Sequence, residues 1–472
     1  MSSSPPLCVR GRACRTTLRV DRRQLLHLLG LGSAASLLGA CEVFTPAAPT
    51  PTPRPQIAQN RPTAVPFQPA SGPVTLRVVN AMFGYPGGQQ VFEGILAGYR
   101  EQNPNVTVDV DYLPDSRAVA DRVNADLAAG NPPDLFVVGS EWFAGFNAQN
   151  AMLNIEFQIR AGELGDFILA LQQNASWLGH LYGLPLRAAS SVLLYRKDHF
   201  AEIGLDATKL PTSWEELADA AVKLTRRNPD GSLARAGFDI AGGATSAADQ
   251  PRQHFFPFYW QNGAQLFNGP NTGPQPAFNS PEGVEALEWW LGLVRDKRVF
   301  DFGFSTGQPG ASLIVAGKAA MGSYPDSVWV EVQRNPDVAN QIGVLPSLRR
   351  KDNGEFVRGD LIGITRGSKY TGTAWSLVEY LTSQDGMLKV DMPLAALPAR
   401  KSLVVSDYVK ASPVLTGASR QLAIAKSEGG PVQWPQIRDL WDQALIDALR
   451  AQRPARDILD DLSRQAADIL KS

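Results

Sequence analysis

The sequence predicts an α/β protein built as two lobes, and two observations support this prediction. The chain has 472 residues, which is longer than a single hydrophobic core ordinarily serves. Segments with a strand pattern also alternate along the chain with segments of helical periodicity, an order that is typical of parallel β/α winding.

This alternation is regular in the first third of the chain, where prolines and asparagines separate the segments. Three strand patterns enclose two helical patterns, so we expect a parallel sheet with helices packed on it. In chain order the predicted elements are strand Val74–Val79, helix Gln89–Arg100, strand Val106–Val110, helix 116–129 and strand Asp134–Val138.

The stretch Gly183–Thr225 predicts a strand followed by a well-capped helix. Ser191–Tyr195 is an apolar run with the length of a buried strand. Ser213 and Glu216 have the spacing of a capping box, and the apolar residues after them form one helical stripe.

The second half of the chain continues the α/β pattern. Ser280 is the expected N-cap of a helix that has Pro281 at its first position. The other elements predicted there are strands Ile342–Pro346 and Leu361–Ile364, helix Thr373–Thr382, and a C-terminal helical pair between Ile437 and Leu470.

Three local patterns within Gly183–Thr225 resemble the extracellular solute-binding proteins of ABC importers, in the sugar-binding group that includes maltose-binding protein. They are the Gly-Leu-Pro at 183–185, the strand and turn at 193–200, and the Pro-Thr-Ser-Trp-Glu-Glu-Leu helix start at 211–217. They occur in the order and spacing of that family, and the resemblance extends over nearly all of Val74 to Leu470.

The resemblance implies a periplasmic-binding-protein-like fold: two α/β lobes joined by crossing segments, with a ligand cleft between them. On this basis lobe 1 is expected to comprise residues 74–186 and 360–400, and lobe 2 residues 187–359 and 401–472.

The N-terminus has the order of an export signal, which we place at residues 1–40. Six arginines precede an apolar segment, and Leu38–Cys41 resembles a bacterial lipobox, which implies that Cys41 is lipidated. The alternative is an ordinary signal peptide in which this cysteine is a coincidence. Arg22-Arg23 resembles a twin-arginine signal, but Asp21 stands where that motif has Ser or Thr, so the general export route stays open. Residues 41–73 are rich in Pro and Thr and are expected to form an extended tether.

Charge and cysteine content exclude several classes of protein. Removal of residues 1–40 leaves 39 basic and 45 acidic side chains, a net charge of −6, and no basic stripe suggests nucleic acid as a partner. Cys8, Cys14 and Cys41 are the only cysteines, so neither a disulfide scaffold nor a cysteine metal site is expected.

No set of catalytic or cofactor-binding residues is evident. Gly303–Gly307 matches the G-x-S-x-G pattern, but no histidine follows Ser305, as that hydrolase order requires. There is no Walker A or dinucleotide fingerprint and no paired histidine motif, so neither a cofactor nor a metal is expected. A glycosidase carboxylate pair stays open, because acidic residues are numerous.

Sugar sites combine aromatic rings, which cover the apolar face of the sugar, with polar groups that reach its hydroxyls. Glu141 and Trp142 follow a predicted strand, and Phe83 and Tyr85 follow the first one, where open α/β sheets bind ligands. The alternative for Trp142 is a capping position of the next helix. Four other tryptophans are expected in the core: Trp177, Trp214, Trp289 and Trp375.

The resemblance adds further candidates for ligand contact. Arg187 and Asp360 lie at the two implied crossings between lobes, where the alternative for Arg187 is an interlobe salt bridge. The other implied candidates are Trp260, the loop residues Tyr324, Asp326 and Trp329, and the pair Trp434 and Trp441. Core packing is the alternative for Trp260 and Trp441, and burial of Trp441 would make Trp434 the better candidate.

These observations predict a binding lipoprotein of the bacterial cell envelope that catalyses no reaction. It is expected to capture a sugar or oligosaccharide by hinge closure and to deliver it to an ABC permease. Three alternatives stay open: the same fold with glycerol phosphate, a polyamine or a peptide as ligand, a secreted carbohydrate-active enzyme, and an adhesin or signalling receptor.

Overall fold

The computed structural model describes residues 67–240, 250–269, 273–307 and 311–471. The predicted export signal, Cys41 and the predicted tether up to residue 66 lie outside these residues. The end of the predicted tether, residues 67–73, is bound to the folded body rather than extended away from it. The backbone N–H of Phe67 donates to Gln158 at 2.8 Å and that of Ala70 to Thr373 at 3.0 Å, and both side chains pack on buried apolar residues.

The strands confirm the sequence patterns and extend several of them. In chain order they are β1 Val74–Asn80, β2 Val106–Tyr112, β3 Leu135–Gly139, β4 Ser176–Trp177, β5 His180–Leu181, β6 Gly183–Arg196, β7 Arg226–Arg227, β8 Leu233–Arg235, β9 Phe267–Asn268, β10 Gln275–Pro276, β11 Met321–Pro325, β12 Ile342–Val344, β13 Glu355–Ile364 and β14 Ala425–Ser427.

The helices surround these strands, and short 3₁₀ turns lie at Ser140–Trp142, Glu163–Asp166 and Asp326–Val328. In chain order the helices are α1 Gly88–Gln102, α2 Ser116–Ala128, α3 Phe143–Ala148, α4 Leu169–Asn174, α5 Lys197–Ala201, α6 Trp214–Leu224, α7 Arg252–Gln261, α8 Pro281–Arg295, α9 Trp329–Gln333, α10 Pro336–Ala339, α11 Thr371–Thr382, α12 Gln384–Leu394, α13 Asp407–Lys410, α14 Pro413–Gln421, α15 Trp434–Arg450 and α16 Ala455–Ile469.

The predicted helix caps are present. Ser213 and Glu216 form the capping box at the start of α6, with both of its hydrogen bonds at 3.2 Å. Ser280 caps α8 by accepting a hydrogen bond from the backbone N–H of Gly283, and Pro281 takes the first helical position. Caps of this kind stabilise a helix by about 1 kcal/mol each, which explains why the helix starts are readable from sequence.

Two long strands join the two halves of the main sheet. The order is β11-β6-β13-β3-β1-β2, with β1 parallel to both β2 and β3 as predicted. The first half of β6 pairs with β13, and its second half pairs with β11 and β12. The C-terminal half of β13 pairs with β3. The register between β13 and β6 shifts between Asp360 and Leu361.

The buried apolar residues form two clusters, which we call the first core and the second core. The first core packs around β1, β2 and β3 and includes Phe136 and Trp375, whereas the second core packs around α6, α7, α8, α15 and α16 and includes Trp214 and Trp290. The exact division into lobes stays a prediction. Leu403–Ala418, which the sequence assigned to lobe 2, contributes its buried side chains to the first core.

Candidate functional site

A cleft of about 440 Å³ opens beside the midpoints of β6 and β13. Its walls come from elements of both cores: the turn after β3 belongs with the first, and α15 with the second. The lining is mostly charged, which suits a polar ligand. The charged lining residues are Asp115, Arg117, Glu141, Arg187, Arg358, Asp360, Arg438, Asp439 and Asp442.

Arg187 and Asp360, predicted from their positions at the crossings, meet in the cleft wall. The guanidinium Nε of Arg187 donates to Asp360 Oδ2 at 2.6 Å, across the point where the β6–β13 register shifts. Burial alone would lower the pKa of Arg187, but the charge of Asp360 and this hydrogen bond raise it above its ordinary value. The salt-bridge alternative for Arg187 is therefore present, and both side chains still line the cleft.

Glu141, on the 3₁₀ turn after β3, forms an ion pair with Arg438 of α15 at the edge of the cleft. Its Oε1 accepts a hydrogen bond from Arg438, and its Oε2 has no hydrogen-bond partner among the described residues. Burial alone would raise the pKa of Glu141, but the charges of Arg438 and Arg358 outweigh burial and hold the pKa below its ordinary value. Glu141 is therefore a buried, ionised acceptor at the edge of the cleft.

Trp142 also lines the cleft, and it occupies the N-cap position of α3 as well. The capping alternative is therefore present, and ligand contact by Trp142 stays a prediction. The guanidinium of Arg117 lies 5.5 Å from the centre of the Trp142 ring and pairs with Asp439 of α15 at 2.5 Å. Such a cation–π contact contributes about 0.5–1 kcal/mol at an exposed site and keeps the ring at the cleft mouth.

Arg358 differs from the other three cleft arginines. Its guanidinium forms no hydrogen bond or ion pair within the part of the chain that the structure describes, although its charge acts on both Glu141 and Asp326. It lies two residues before Asp360 on β13 and is half-buried. A guanidinium with its donors unused, in a partly enclosed cleft, is available to a ligand.

The loop after β1 does not reach the cleft with its aromatic rings. Phe83 is 1% exposed and stacks on Phe92 in the first core at 4.9 Å. Tyr85 is 42% exposed and lies outside the cleft lining. The cleft instead receives the two residues between β1 and Phe83, namely Ala81 and Met82.

The structure places Trp260, Trp434 and Trp441 in the second core, where each is at most 3% exposed. Trp441 packs against Phe278 at 5.0 Å and Phe256 at 5.2 Å, and Trp260 stacks on Phe356 at 6.2 Å. Core packing, the alternative left open for Trp260 and Trp441, is thus what the structure shows. Trp434 is buried as well, because its ring fills the space between Phe256 and Phe267.

The three candidates predicted on a loop lie instead on regular elements beneath the surface: Tyr324 on β11, Asp326 on the 3₁₀ turn after it, and Trp329 at the start of α9. Tyr324 is 1% exposed and donates to Asp239 at 2.6 Å, and Trp329 is buried in the first core. Asp326 accepts from the backbone N–H of Ser190 at 3.1 Å. Burial raises its pKa to about 6 against the opposing charges of Arg187 and Arg358. None of the three lines the cleft, but Asp326 interacts electrostatically with Arg187 and Arg358, two of the four cleft arginines.

Arg438 and Asp439 are functional candidates that sequence reasoning missed. The aromatic residues of the segment Pro435–Trp441 drew attention to its buried face, on which Ile437 and Trp441 lie. At 3.6 residues per turn the two charged residues after Ile437 project elsewhere, and here that direction is the cleft. The sequence signal for Arg438 and Asp439 was the presence of two adjacent charged residues between the apolar positions of a predicted helix.

A buried ion triad adjoins this wall, and one of its three members, Asp442, also lines the cleft. Arg252 of α7 donates to both carboxylate oxygens of Glu428, at 2.6 and 3.0 Å, and also to Asp442 of α15. The Arg252 and Glu428 side chains are fully buried. Burial raises the pKa of Asp442 to about 7, against the lowering effect of the Arg252 charge.

Several other functional classes were tested against the described residues. Within residues 67–240, 250–269, 273–307 and 311–471, no group of three or more His, Cys, Asp or Glu could hold a metal ion. No helix in these ranges has the length and apolarity needed to cross a membrane. Ser305 lies in a loop, where its hydroxyl accepts from the Gly307 N–H at 3.3 Å, without the strand-to-helix turn of a nucleophile elbow.

Comparison with known proteins agrees with this architecture. A maltotriose-binding protein from Pyrococcus abyssi is 22% identical over 398 residues, which span 82% of this chain and 80% of that protein. The solved cyclic alpha-maltosyl-1,6-maltose binding protein from Arthrobacter globiformis superimposes with a TM-score of 0.71 at 21% identity, over 85% of this chain and all of that one. The sugar-binding protein MalE from Xanthomonas citri gives 0.72 at 18% identity, over 84% and 98%.

At these identities the solved structures show a shared fold, which confirms the predicted fold class. The family follows from a separate match: residues 85–388 fit the family model described as bacterial extracellular solute-binding protein. That match covers more than half of the chain and confirms the resemblance found at Gly183–Thr225. The chain belongs to the bacterial extracellular solute-binding protein family.

Proposed function

We propose that this protein binds a sugar or oligosaccharide in the cleft and delivers it to the membrane permease of an ABC importer. The observation that carries the proposal is the cleft wall itself, in which ion-paired side chains stand beside one aromatic ring. A sugar hydroxyl both donates and accepts, so pairs such as Arg187–Asp360 and Glu141–Arg438 offer it both partners at once. The Trp142 ring can cover the apolar face of a sugar.

The relatives support the same class of ligand. The Pyrococcus protein is named for maltotriose, and the Arthrobacter protein for a cyclic maltosyl-maltose. Their names describe those proteins, and at about 20% identity individual contacts do not transfer. They favour an oligosaccharide over the other solutes that this fold could hold.

Capture would proceed by closure of the lobes around the ligand, with no chemical step. Glu141 and Trp142 belong to the wall packed on the first core, and Arg438 and Asp439 to the wall packed on the second. A ligand that contacts both walls favours the closed form through its better contacts there. The closed form would then dock on the permease, while a lipid on Cys41 would hold the protein at the outer face of the bacterial membrane.

The direct test is a melting and calorimetry series with glucose, maltose, maltotriose, glycerol 3-phosphate and spermidine. Ligand at 100 times its Kd stabilises the native state by about 2.7 kcal/mol, so a true ligand is expected to raise the melting temperature by several degrees. Stabilisation by a maltooligosaccharide without its turnover supports the proposal. If none of the sugars stabilises the protein, the proposed function is wrong. Hydrolysis of a sugar would favour a carbohydrate-active enzyme.

Replacement of Arg187 is expected to weaken sugar binding strongly. Arg187→Ala removes a donor from the cleft and leaves Asp360 without its ion-pair partner, so we expect the Kd to rise about 30-fold or more. Calorimetry on the folded variant measures this change. Arg226→Ala is the control, because Arg226 lies at the surface outside the cleft lining, where it pairs with Glu202 and donates to the backbone carbonyls of Lys223 and Thr225. An unchanged Kd in Arg187→Ala would show that the ligand binds elsewhere.

Arg358, whose guanidinium has no ion-pair partner among the described residues, favours a second candidate class, solutes that carry a carboxylate or phosphate. Arg358→Gln keeps a hydrogen-bond donor and removes the charge. For a neutral sugar we expect less than about a threefold change in Kd, whereas for an anionic solute the loss of a charge-assisted pair is expected to cost about tenfold or more. Titration of the variant with maltotriose and with glycerol 3-phosphate separates the two classes.

A further inference from the structure

Two ion pairs join one wall of the cleft to the other. Arg438 and Asp439 are neighbours on α15 and carry opposite charges. Arg438 pairs with Glu141 on the turn after β3. Asp439 pairs with Arg117 of α2 at 2.5 Å. A positive and a negative charge on α15 thus face a negative and a positive charge on the opposite wall, and we call these two contacts the cross-cleft pairs.

The partners of each pair belong to different cores. On one wall, α2 contributes its buried side chains to the first core, and Trp142, which follows Glu141, packs against that core. On the other wall, α15 contributes Ile437 and Trp441 to the second core. The partners are 297 and 322 residues apart in the sequence. Separation of the two walls would therefore break both cross-cleft pairs and leave each core intact.

The pair of Arg187 and Asp360 has a different position. These residues face each other on β6 and β13, which are hydrogen-bonded neighbours in the main sheet. Both strands contribute buried side chains to the two cores, so they run along the junction between the walls. The distance between Arg187 and Asp360 is fixed by strand pairing, whereas the cross-cleft pairs depend on the distance between the walls.

The two cross-cleft pairs differ in exposure. The side chains of Arg438 and Glu141 are 12% and 3% exposed, whereas those of Arg117 and Asp439 are 54% and 48% exposed. Water and salt screen the exposed pair more strongly than the buried one. With the walls together Glu141 is shielded from water, so its charge requires the guanidinium of Arg438 nearby. The alternation of charge also disfavours a shifted contact, because a slip would oppose like charges.

We propose that the cross-cleft pairs form an ionic latch that stabilises the closed form and so sets the affinity for every sugar that the cleft accepts. This inference rests on the proposed function, because it assumes that the walls close around a sugar. A contact made only in the closed form shifts the open–closed equilibrium, and the apparent Kd of each ligand then changes by the same factor. Arg117 and Asp439 are therefore positioning residues, which act on the sugar through closure.

The test reverses charges at Arg117–Asp439, the pair that the proposed sugar contacts do not use. Arg117→Glu opposes two carboxylates across the cleft, and Asp439→Arg opposes two guanidinium groups. Each single variant is expected to weaken maltose and maltotriose by the same factor of about ten, measured by calorimetry. The combined variant regains an opposite-charge pair but not the contact of Arg117 with the Trp142 ring, so we expect binding within about threefold of the natural protein.

Kinetics and salt provide two further measurements of the latch. Both sugars are uncharged, so each single variant is expected to keep the association rate within about twofold and to raise the dissociation rate about tenfold. Salt screens like charges as well as opposite ones. The loss of affinity in each single variant is therefore expected to shrink to less than about threefold when NaCl is raised to about 0.5 M.

Arg122→Glu is the matched control on the same helix. Arg122 is 41% exposed and pairs with Asp111 of β2 and Asp126 of α2, both on its own side of the cleft. Its reversal opposes like charges within one lobe, so the melting temperature is expected to fall while the Kd for maltotriose stays within about twofold. Weakening of the sugar as large as that in Arg117→Glu would show that damage to α2 explains the effect, and the latch would be wrong.

The outcomes separate this inference from the proposed function. If the combined variant binds no better than the single variants, Arg117 and Asp439 act independently and the latch is wrong, while sugar binding by the natural protein keeps the proposed function. If the natural protein binds none of the sugars, the proposed function fails and this inference fails with it.

Discussion

Arg252→Met is expected to lower the free energy of unfolding by about 3–5 kcal/mol, measured by urea denaturation at pH 7.5. Arg252 donates to Glu428 and Asp442 inside the protein, and its own side chain is fully buried. The methionine fills a similar volume but leaves two carboxylates without a cation. The unpaired acids, rather than lost packing, account for the expected cost.

Two comparisons test whether the unpaired carboxylates cause this loss of stability. Arg464→Met removes an arginine that pairs with Asp461 at the surface of α16, so it is expected to cost less than about 0.5 kcal/mol. The cost of Arg252→Met is also expected to shrink at pH 5, because burial already raises the pKa of Asp442 to about 7 and protonation then removes a buried charge. Equal costs for the two arginines would contradict a structural role for the triad.

The triad also bears on function, because Arg252 pairs with Asp442 on the helix that supplies one wall of the cleft. Asp442 lies one helical turn after Arg438 on α15 and lines the same cleft. Arg252 at the start of α7 links this turn to Glu428, the residue that directly follows β14. The triad thus joins the cleft wall at Asp442 to the buried Arg252 and Glu428, and the charge of Arg438 acts on Asp442 as well.

The local elements of the fold were predictable because their causes are local. The capping box of Ser213 and Glu216 needs only four adjacent residues, and the three parallel strands of the first core have apolar runs of their own. The length of β6 was not predictable in this way. Its apolar run Ser191–Tyr195 is only the second part of a 14-residue strand, because the first part contains Pro185, Arg187 and small residues that pair with β13.

The site was predictable where position in the fold decides the role. Residues were chosen because they follow strands or lie at crossings, and four of them line the cleft: Arg187, Asp360, Glu141 and Trp142. Phe83 and Tyr85 were chosen in the same way and do not line it. Choosing residues by aromatic type was less successful. A tryptophan suits a sugar and a core equally well, and only the packing of α7, α8 and α15 decides that Trp434 and Trp441 point inward.

Glu355→Gln is expected to stabilise the protein at pH 8 by roughly 3–5 kcal/mol and to have little effect at pH 4.5. Glu355, at the start of β13, is 2% exposed, and burial raises its pKa to about 8. Between about pH 4.5 and 8 the unfolded chain has lost this proton and the folded chain still holds it. Rising pH therefore favours unfolding throughout that window.

Rising pH also favours unfolding through Asp326 and Asp442, because burial raises their pKa values in the folded protein to about 6 and 7. The melting temperature of the natural protein is therefore expected to fall as the pH rises from about 4.5 to 8, and Glu355→Gln should make that fall shallower. Glutamine mimics the protonated acid, so Glu355→Gln stabilises the folded protein only at pH values where burial of the ionisable glutamate is unfavourable. Glu288→Gln, at an exposed position of α8, provides the matched control. A constant difference between Glu355→Gln and the natural protein across this pH range would mean that Glu355 ionises normally in the folded state.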